Sequence, residues 1–459
     1  MRTQSSGDEL AHVAPLRPGN SLTEQENRLF VVSELYYPED TGTAHYMTSI
    51  AEGLARSAPV QAICARRRHG GAWKGLAAHE NHHGVEIHRC WSTAFDKNRL
   101  LGRASNAVTT ALSLFFNVLR RVRQGDQVLV VVAGPPVLPF LVMVACRLRG
   151  ARCFLRIDDV YPEAMIHAGL ISPDGASAAF INWMNRVVYR RMARIVVLGR
   201  DMKRLVEGKL RDAAAKLVVI PNWADLDTVA PADRQTNPLL RELGLQDKFV
   251  IGYAGNIGRV QGVEALFDAA CLLRQSDDVH FLFVGSGQKV GWLRQAIADA
   301  QLKNITLAGP RPRSEQSVFL NACDVGVVPL VPGMSGAGVP SRLYNLMAAG
   351  KPVIAAVDDD SEPALVVREE AIGWVVPAGR GDQIAAAIRE AQSDKNRLAD
   401  MGRRARVAAE ARYSPERIIM AYAELMHSPM PGVPKPTAES PAGTAPGAAE
   451  ASPSPLQKG

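Results

Sequence analysis

Two series of short, apolar, β-branched segments, each segment followed by a helical pattern, limit what this chain can fold into. The first series reads LFVVS (29–33), VQAIC (60–64), VLVVV (128–132), CFLRI (153–157), RIVVL (194–198) and KLVVI (216–220). The second begins after a polar stretch near 222–247, with FVIGYAG (249–255), VHFLFVG (279–285), NITLAG (304–309), VGVVPL (325–330), PVIAAV (352–357) and GWVVP (373–377). Helical patterns such as 44–55, 263–274 and 290–300 lie between the segments. Apolar strands alternating with helices make parallel sheets covered on both faces. Two such series predict an α/β protein of two doubly wound, Rossmann-like domains facing each other across a cleft. Ligands of these sheets bind beyond the carboxyl ends of the strands.

With 459 residues, 47% of them hydrophobic, the chain can fill two cores. Its ends cannot contribute. Residues 1–27 lack the apolar stretch of a secretory signal, and 428–459 are too rich in Pro, Ala and Ser to pack, so both are expected to be disordered. The six cysteines are scattered with no CxxC pair, which removes a disulfide framework and implies a reduced, cytoplasmic setting. The apolar stretch 128–146 imitates a membrane span, but Gly134-Pro135-Pro136 and Pro139 break it into a strand, a turn and a buried helix. A net charge of +7 fits anionic partners. No basic–aromatic stripe accompanies it, which argues against nucleic acid.

Two loops of the second series suit a phosphate. In YAGNIGRVQGVEALFDAA (253–270) a strand meets Gly255, Gly258 and Gly262 and then a helix; Arg259 adds a forked donor. In SGAGVPSRLYNLMAAGKPV (335–353) Pro340 precedes Ser341 and Arg342 at the start of a short helix, which Gly350 and Pro352 close. A diphosphate held between them accounts for both. VGSGQKVG (284–291) is spaced GxGxxxG rather than as a dinucleotide fingerprint and reads as a plain turn. The runs Asp358-Asp359-Asp360 and Asp158-Asp159 read as solvated loops, and the histidines 79, 82, 83 and 88 have no ligand spacing, so no metal is expected.

The chain resembles glycosyltransferase family 4, in particular its colanic-acid and fucosamine-transferase-like branch of bacterial surface-polysaccharide enzymes. The resemblance runs from about Leu29 to His427. It rests on ELYYPEDTGTAHYMTSIAEGLA (34–55), DDVYPEAMIHAGLI (158–171), VVIPNWADLD (218–227), YAGNIGRVQG (253–262) and PSRLYNLMAAGKPVIAAVDDDSE (340–362). It implies the GT-B fold: an acceptor-binding domain over 28–225, a nucleotide-sugar-binding domain over 226–412, and a last helix over 413–427 crossing back to the first domain. It also implies a metal-independent transfer with retention of anomeric configuration and no cofactor beyond the sugar nucleotide.

By the same resemblance Arg259 and Arg342 neutralise the departing diphosphate and Asp159 acts beside them as catalytic residue. Gly42 and Thr43 face the donor's phosphate and sugar. Gly255, Asn256, Gly258 and Ser341 belong to the donor site, and Arg311, within GPRPR (309–313), lies beside the base. Asp158 and Glu163 fall on the acceptor side. Three positions depart from the family pattern. The paired glutamates read Ala337 and Asn345, so Asn345 or the nearby Glu362 must serve the ribose. The basic pair of the Gly-rich loop reads Asn256 and Gln261, leaving Arg259 to carry the charge. A histidine after the fourth strand is replaced by Asp158; a helix cap or structural carboxylate is the alternative reading for Asp158 and Asp159.

The stretch 97–123 sets Arg99, Arg103, Arg120, Arg121 and Arg123 around an apolar middle. Residues 107–119 would span only about 20 Å as a helix, too short to cross a bilayer. The helix either packs on the first sheet or lies in an anionic interface. The expected function is transfer from a UDP- or GDP-sugar to a lipid-linked saccharide, and the resemblance points to a fucose- or fucosamine-like sugar. It would take place on a peripheral enzyme at the inner face of the cell membrane. The alternatives are a nucleotide-sugar epimerase or hydrolase and a non-catalytic membrane scaffold.

Overall fold

The computed structural model describes residues 28–66, 76–93, 95, 100–132 and 136–427. The expectations for the two tails, for Arg99, for the Arg103 side chain and for Gly134-Pro135 lie outside them.

The first lobe holds β1 (Leu29–Ser33), β2 (Val60–Ala65), β3 (His79–His82), β4 (Val85–Cys90), β5 (Gln127–Val132), β6 (Arg152–Ile157), β7 (Arg194–Val197) and β8 (Leu217–Val219). Their order across the sheet is β3-β4-β2-β1-β5-β6-β7-β8. The second lobe holds β9 (Phe249–Ala254), β10 (Val279–Val284), β11 (Ile305–Gly309), β12 (Val325–Pro329), β13 (Val353–Ala356) and β14 (Gly373–Val376), ordered β11-β10-β9-β12-β13-β14. All twelve segments expected as strands are strands. Every pairing is parallel except β3 with β4. In each lobe the strand order reverses beside the first strand of the series, β1 or β9. A crevice therefore opens at their carboxyl ends.

The antiparallel β3–β4 hairpin is the element the hydrophobic pattern does not announce. HENH carries no apolar residue, because β3 is an edge strand with half its surface in water. Its turn is His83-Gly84, both at positive φ (45° and 83°), the conformation of a two-residue type I′ turn.

The apolar stretch 128–146 divides as its prolines require, into β5 and the helix Leu138–Arg149. No helix among the described residues is long and apolar enough to cross a membrane. The last helix, Pro415–His427, leaves the second lobe and packs into the first: Ile418, Tyr422, Leu425 and Met426 join the core of β1, β2 and the helix Gly42–Ala55. A Cβ at Gly53 would meet Ile419 at 2.5 Å, so only glycine lets these two helices approach so closely.

Candidate active site

The crevice holds a cavity of about 530 Å³. The first lobe lines it with Asp40–Thr43 after β1, Tyr46, Asp158 and Asp159 after β6, and Asn222. The second lobe lines it with Gly255, Asn256 and Gln261 after β9, Arg311, Arg313 and Gln316 after β11, and Ser341, Arg342 and Asn345 after β12. Most of the expected donor-site residues thus meet in one place. Arg259, Gly258, Glu362 and Glu163 do not line it.

Three guanidinium groups face this cavity, and their pairing separates them. Arg311 is neutralised by Glu242 (2.5 Å) and Glu315 (3.2 Å). Arg313 bonds Asp225 across the lobes (3.1 Å), and its amide donates to Asp40 Oδ2 (3.1 Å). Arg342 has no ion pair among the described residues. It begins the helix Arg342–Ala348, lies 4.5 Å above the Tyr253 ring, and sits so close beneath Gly255 that a Cβ there would be 3.4 Å from Nη2. Its Nη1 is buried without a partner, as are Asn345 Oδ1, Gln261 Oε1 and Gln316 Oε1 on the same wall. An unpaired buried group costs about 1–3 kcal/mol, so several on one cavity wall make that wall suited to a polar ligand.

Arg259 is exposed and donates to Gln288 Oε1 (2.9 Å). The backbone explains its direction. Gly262 caps the following helix at φ 56°, and a Cβ there would strike the Leu330 carbonyl at 2.7 Å. That tight approach turns Val260 and Gln261 toward the cavity and leaves Arg259 outside. Gly258 is buried between the side chains of Asn256 and Gln261, where a Cβ would lie 2.7 and 2.4 Å from them. The GSG turn at 285–287 braces this loop: a Cβ at Gly285 would fall 1.9 Å from the Gly255 carbonyl.

Glu362 is buried, and both its oxygens are taken by Arg200 from the first lobe, at 3.0 Å to Nε and 3.1 Å to Nη2, with the Arg200 amide at 2.7 Å. This carboxylate therefore lies off the cavity wall with both oxygens engaged, whereas Asn345 lines the cavity. Glu163 pairs with Lys209 (2.5 Å) beside a separate 260 Å³ pocket. The aspartates 358–360 brace the loop that carries Arg342. Asp358 accepts the amides of Gly333 (3.1 Å) and Ser335 (2.9 Å), while Asp359 pairs with Arg368 and Asp360 with Arg204.

Asp158 and Asp159 divide their work. Asp158 accepts from buried Arg156 (2.7 Å) and from Thr43 Oγ1 (3.3 Å). Asp159 forms a backbone bridge to Gly338 of the other lobe. Burial, then the adjacent Asp158 charge, pushes its pKa from 3.8 up to about 7. Between those two values the folded protein keeps a proton that the unfolded chain has lost. This group's contribution to stability therefore falls as pH rises from 4 to 7 and is constant above. Asp159→Asn should gain on wild type across that window, by about 1–2 kcal/mol after allowance for partial exposure. Urea unfolding at pH 5 and pH 8 measures it; a gap independent of pH would show that the carboxyl ionises normally.

Sequence reading passed over Asp40, Tyr46, Asn222, Asp225 and Gln316. All but Gln316 lie in or beside stretches quoted for the resemblance. Their roles depend on the two lobes meeting, which no local pattern encodes.

Two doubly wound lobes, facing each other over a crevice with an uncompensated guanidinium at the strand ends, define a glycosyltransferase of the GT-B architecture. The chain belongs to this family: residues 238–408 match the glycosyl transferases group 1 model, and residues 41–223 match the glycosyl transferase 4-like domain. It is 33% identical over 297 residues to the probable glycosyltransferase WbjE of Pseudomonas aeruginosa, covering 64% of this chain and 73% of that one. It is 26% identical over 336 residues to the putative colanic acid biosynthesis glycosyl transferase WcaI of Escherichia coli strain K12, covering 70% and 81%. Among solved structures, Anabaena Alr3699/HepE in complex with UDP and glucose superposes with a TM-score of 0.68 at 17% identity, over 87% of this chain and 98% of that one. The epimerase, hydrolase and scaffold readings give way to a transferase.

Proposed function

We propose that this transferase moves a sugar from a UDP- or GDP-sugar to a lipid-linked saccharide during surface-polysaccharide assembly, with retention of configuration and without a catalytic metal. The observation that carries the donor half is the Arg342 guanidinium, unpaired and partly unsatisfied inside the crevice. As the anomeric C–O bond breaks, negative charge grows on the diphosphate. A preorganised cation at that point lowers the barrier because it needs no reorientation. Ser341 and the Gly255-Asn256 backbone complete the phosphate cradle, Asn345 receives a ribose hydroxyl, and Gly42-Thr43 approach the sugar from the other lobe. Asp159, whose pKa lies near neutrality, takes the hydrogen bond of the acceptor hydroxyl. The names of WbjE and WcaI support a polysaccharide pathway, and the HepE complex supports UDP as one base to test.

The helix Leu100–Arg121 supports the membrane half of the proposal. One face (Thr110, Ala111, Leu114, Val118) is buried on the first sheet, while Leu101, Val108, Leu112 and Phe116 form an exposed apolar stripe. Arg120 and Arg123 are exposed at its end, placed to meet anionic headgroups at about 1 kcal/mol each. Cosedimentation with phosphatidylglycerol vesicles, lost in Leu112→Glu/Phe116→Glu, tests this attachment.

The donor is tested by thermal shift with UDP, GDP and ADP. At about 100 times the dissociation constant the cognate diphosphate should add roughly 2.7 kcal/mol of stability. No shift with any nucleoside diphosphate would overturn the donor assignment. Consumption of labelled nucleotide sugar without a lipid-linked acceptor would overturn the acceptor assignment.

A further inference from the structure

We propose that Glu52, His82 and His83 form a binding site for one divalent transition-metal ion, such as zinc, that ties the helix Gly42–Ala55 to the β3–β4 hairpin. The histidines of this segment look unordered in the sequence, and the hairpin sorts them. Side chains alternate along a strand, so His79 projects from one face of β3 and His82, at its end, from the other. His79 meets its cross-strand partner His88. His82 meets the helix, where Glu52 waits.

The two nitrogen–oxygen separations fit an ion, and all three donor atoms lie within 4.8 Å of one another. His82 Nε2 lies 3.4 Å and His83 Nδ1 3.3 Å from the same oxygen, Glu52 Oε1. Donors about 2.0–2.2 Å from a tetrahedral zinc sit roughly 3.3–3.5 Å from one another. Imidazole and carboxylate are a zinc donor set, and three protein ligands leave a position for water. The site is open to an arriving ion: the side chains of Glu52, His82 and His83 are 23%, 25% and 70% exposed. His82 is held by stacking on Tyr37 (3.7 Å between centroids). His83 stacks on the other side (4.1 Å, 18° between ring planes), and this exposed ring must rotate about its side-chain bonds before both lone pairs converge on one ion. His83 also holds a positive-φ turn position that asparagine or glycine occupies at less cost.

The second group, His79, Glu86 and His88, shows similar separations (3.2 and 3.5 Å). It is the poorer site. His88 Nε2 already faces Gln61 Oε1 (3.2 Å), and the Arg121 charge acts on the ring. A fixed cation nearby disfavours a second one.

The ion would be structural, and none of its three ligands lines the donor cavity, so its test is independent of the transfer reaction. The untagged, chelator-stripped protein is titrated with zinc chloride by calorimetry at pH 7.5, followed by thermal unfolding and by cobalt substitution with visible absorption. One zinc per chain is expected, with a rise of a few degrees in unfolding temperature and tetrahedral cobalt bands. His83→Asn keeps the turn, because Asn-Gly is the preferred type I′ pair, and should weaken zinc binding more than tenfold with no loss of stability in the metal-free state. Glu52→Gln should do the same, and His79→Asn should bind as wild type. Zinc binding unchanged in His83→Asn and Glu52→Gln, binding lost in His79→Asn instead, or no binding to the wild type would each overturn the site.

Discussion

Arg342→Ala is expected to lower kcat by roughly 10²–10³ and to abolish the stabilisation by nucleoside diphosphate, the size of effect seen when a preorganised donor to a developing anion is removed. Three features single this residue out. It has no carboxylate partner among the described residues, it retains a buried unsatisfied Nη1, and it lies under the backbone of Gly255, where a diphosphate would rest. Arg342→Lys keeps the charge and loses the fork, so an intermediate rate is expected. Arg259→Ala is the contrasting case. Its side chain is exposed and bonded to Gln288, and its loss should change kcat/KM by less than about fivefold, in the range of an exposed surface contact. Initial rates with a labelled nucleotide sugar, read beside thermal shifts with UDP and GDP, separate the two. Equal losses from both substitutions would mean that the 255–262 loop re-aims Arg259 when the donor binds.

Why Arg342 lines the crevice and Arg259 does not follows from what each depends on. Arg342 opens a helix whose start the sequence marks with Pro340 and Ser341, and Asp358 braces the loop that leads to it. Arg259 lies beyond β9 in a loop whose path is fixed by the close approach of Gly262 to the Leu330 carbonyl, just after β12, and of Gly285, just after β10, to Gly255. Those are long-range packing facts. The strands were legible because buried parallel strands are continuous apolar runs. The β3–β4 hairpin was not, since an edge strand of polar residues has no apolar run to show. Glu362 looked available because it is near Asn345 in sequence; only the meeting of the lobes gives it Arg200 as a partner. The same meeting fills Asp225 with Arg313 and leaves Arg342 alone.

Arg156→Met is expected to destabilise the protein by about 3–5 kcal/mol, the cost of breaking a buried ionic network on one side only. Arg156 is fully buried at the end of β6. Its Nε donates to Asp158 Oδ1 (2.7 Å), Nη1 to the Tyr422 hydroxyl oxygen (2.6 Å) and Nη2 to Asn222 Oδ1 (2.7 Å). One guanidinium thereby joins the cavity wall, the segment that leaves the first lobe, and the helix that returns to it. Methionine fills the space and satisfies none of the three acceptors. Tyr422→Phe, which leaves the charge paired, should cost only about 1.5–3 kcal/mol. The two substitutions share a bond, so a double-mutant cycle should return a coupling of at least about 1 kcal/mol. Urea unfolding with unchanged m-values measures all three variants. Asp158, freed from Arg156, would hold Thr43 less firmly, so Arg156→Met should also raise the KM for the acceptor or donor more than Tyr422→Phe does. Additive effects on stability would mean that the returning helix is held by its apolar face alone, through Ile418, Leu425 and Met426, and that Arg156 serves only the cavity wall.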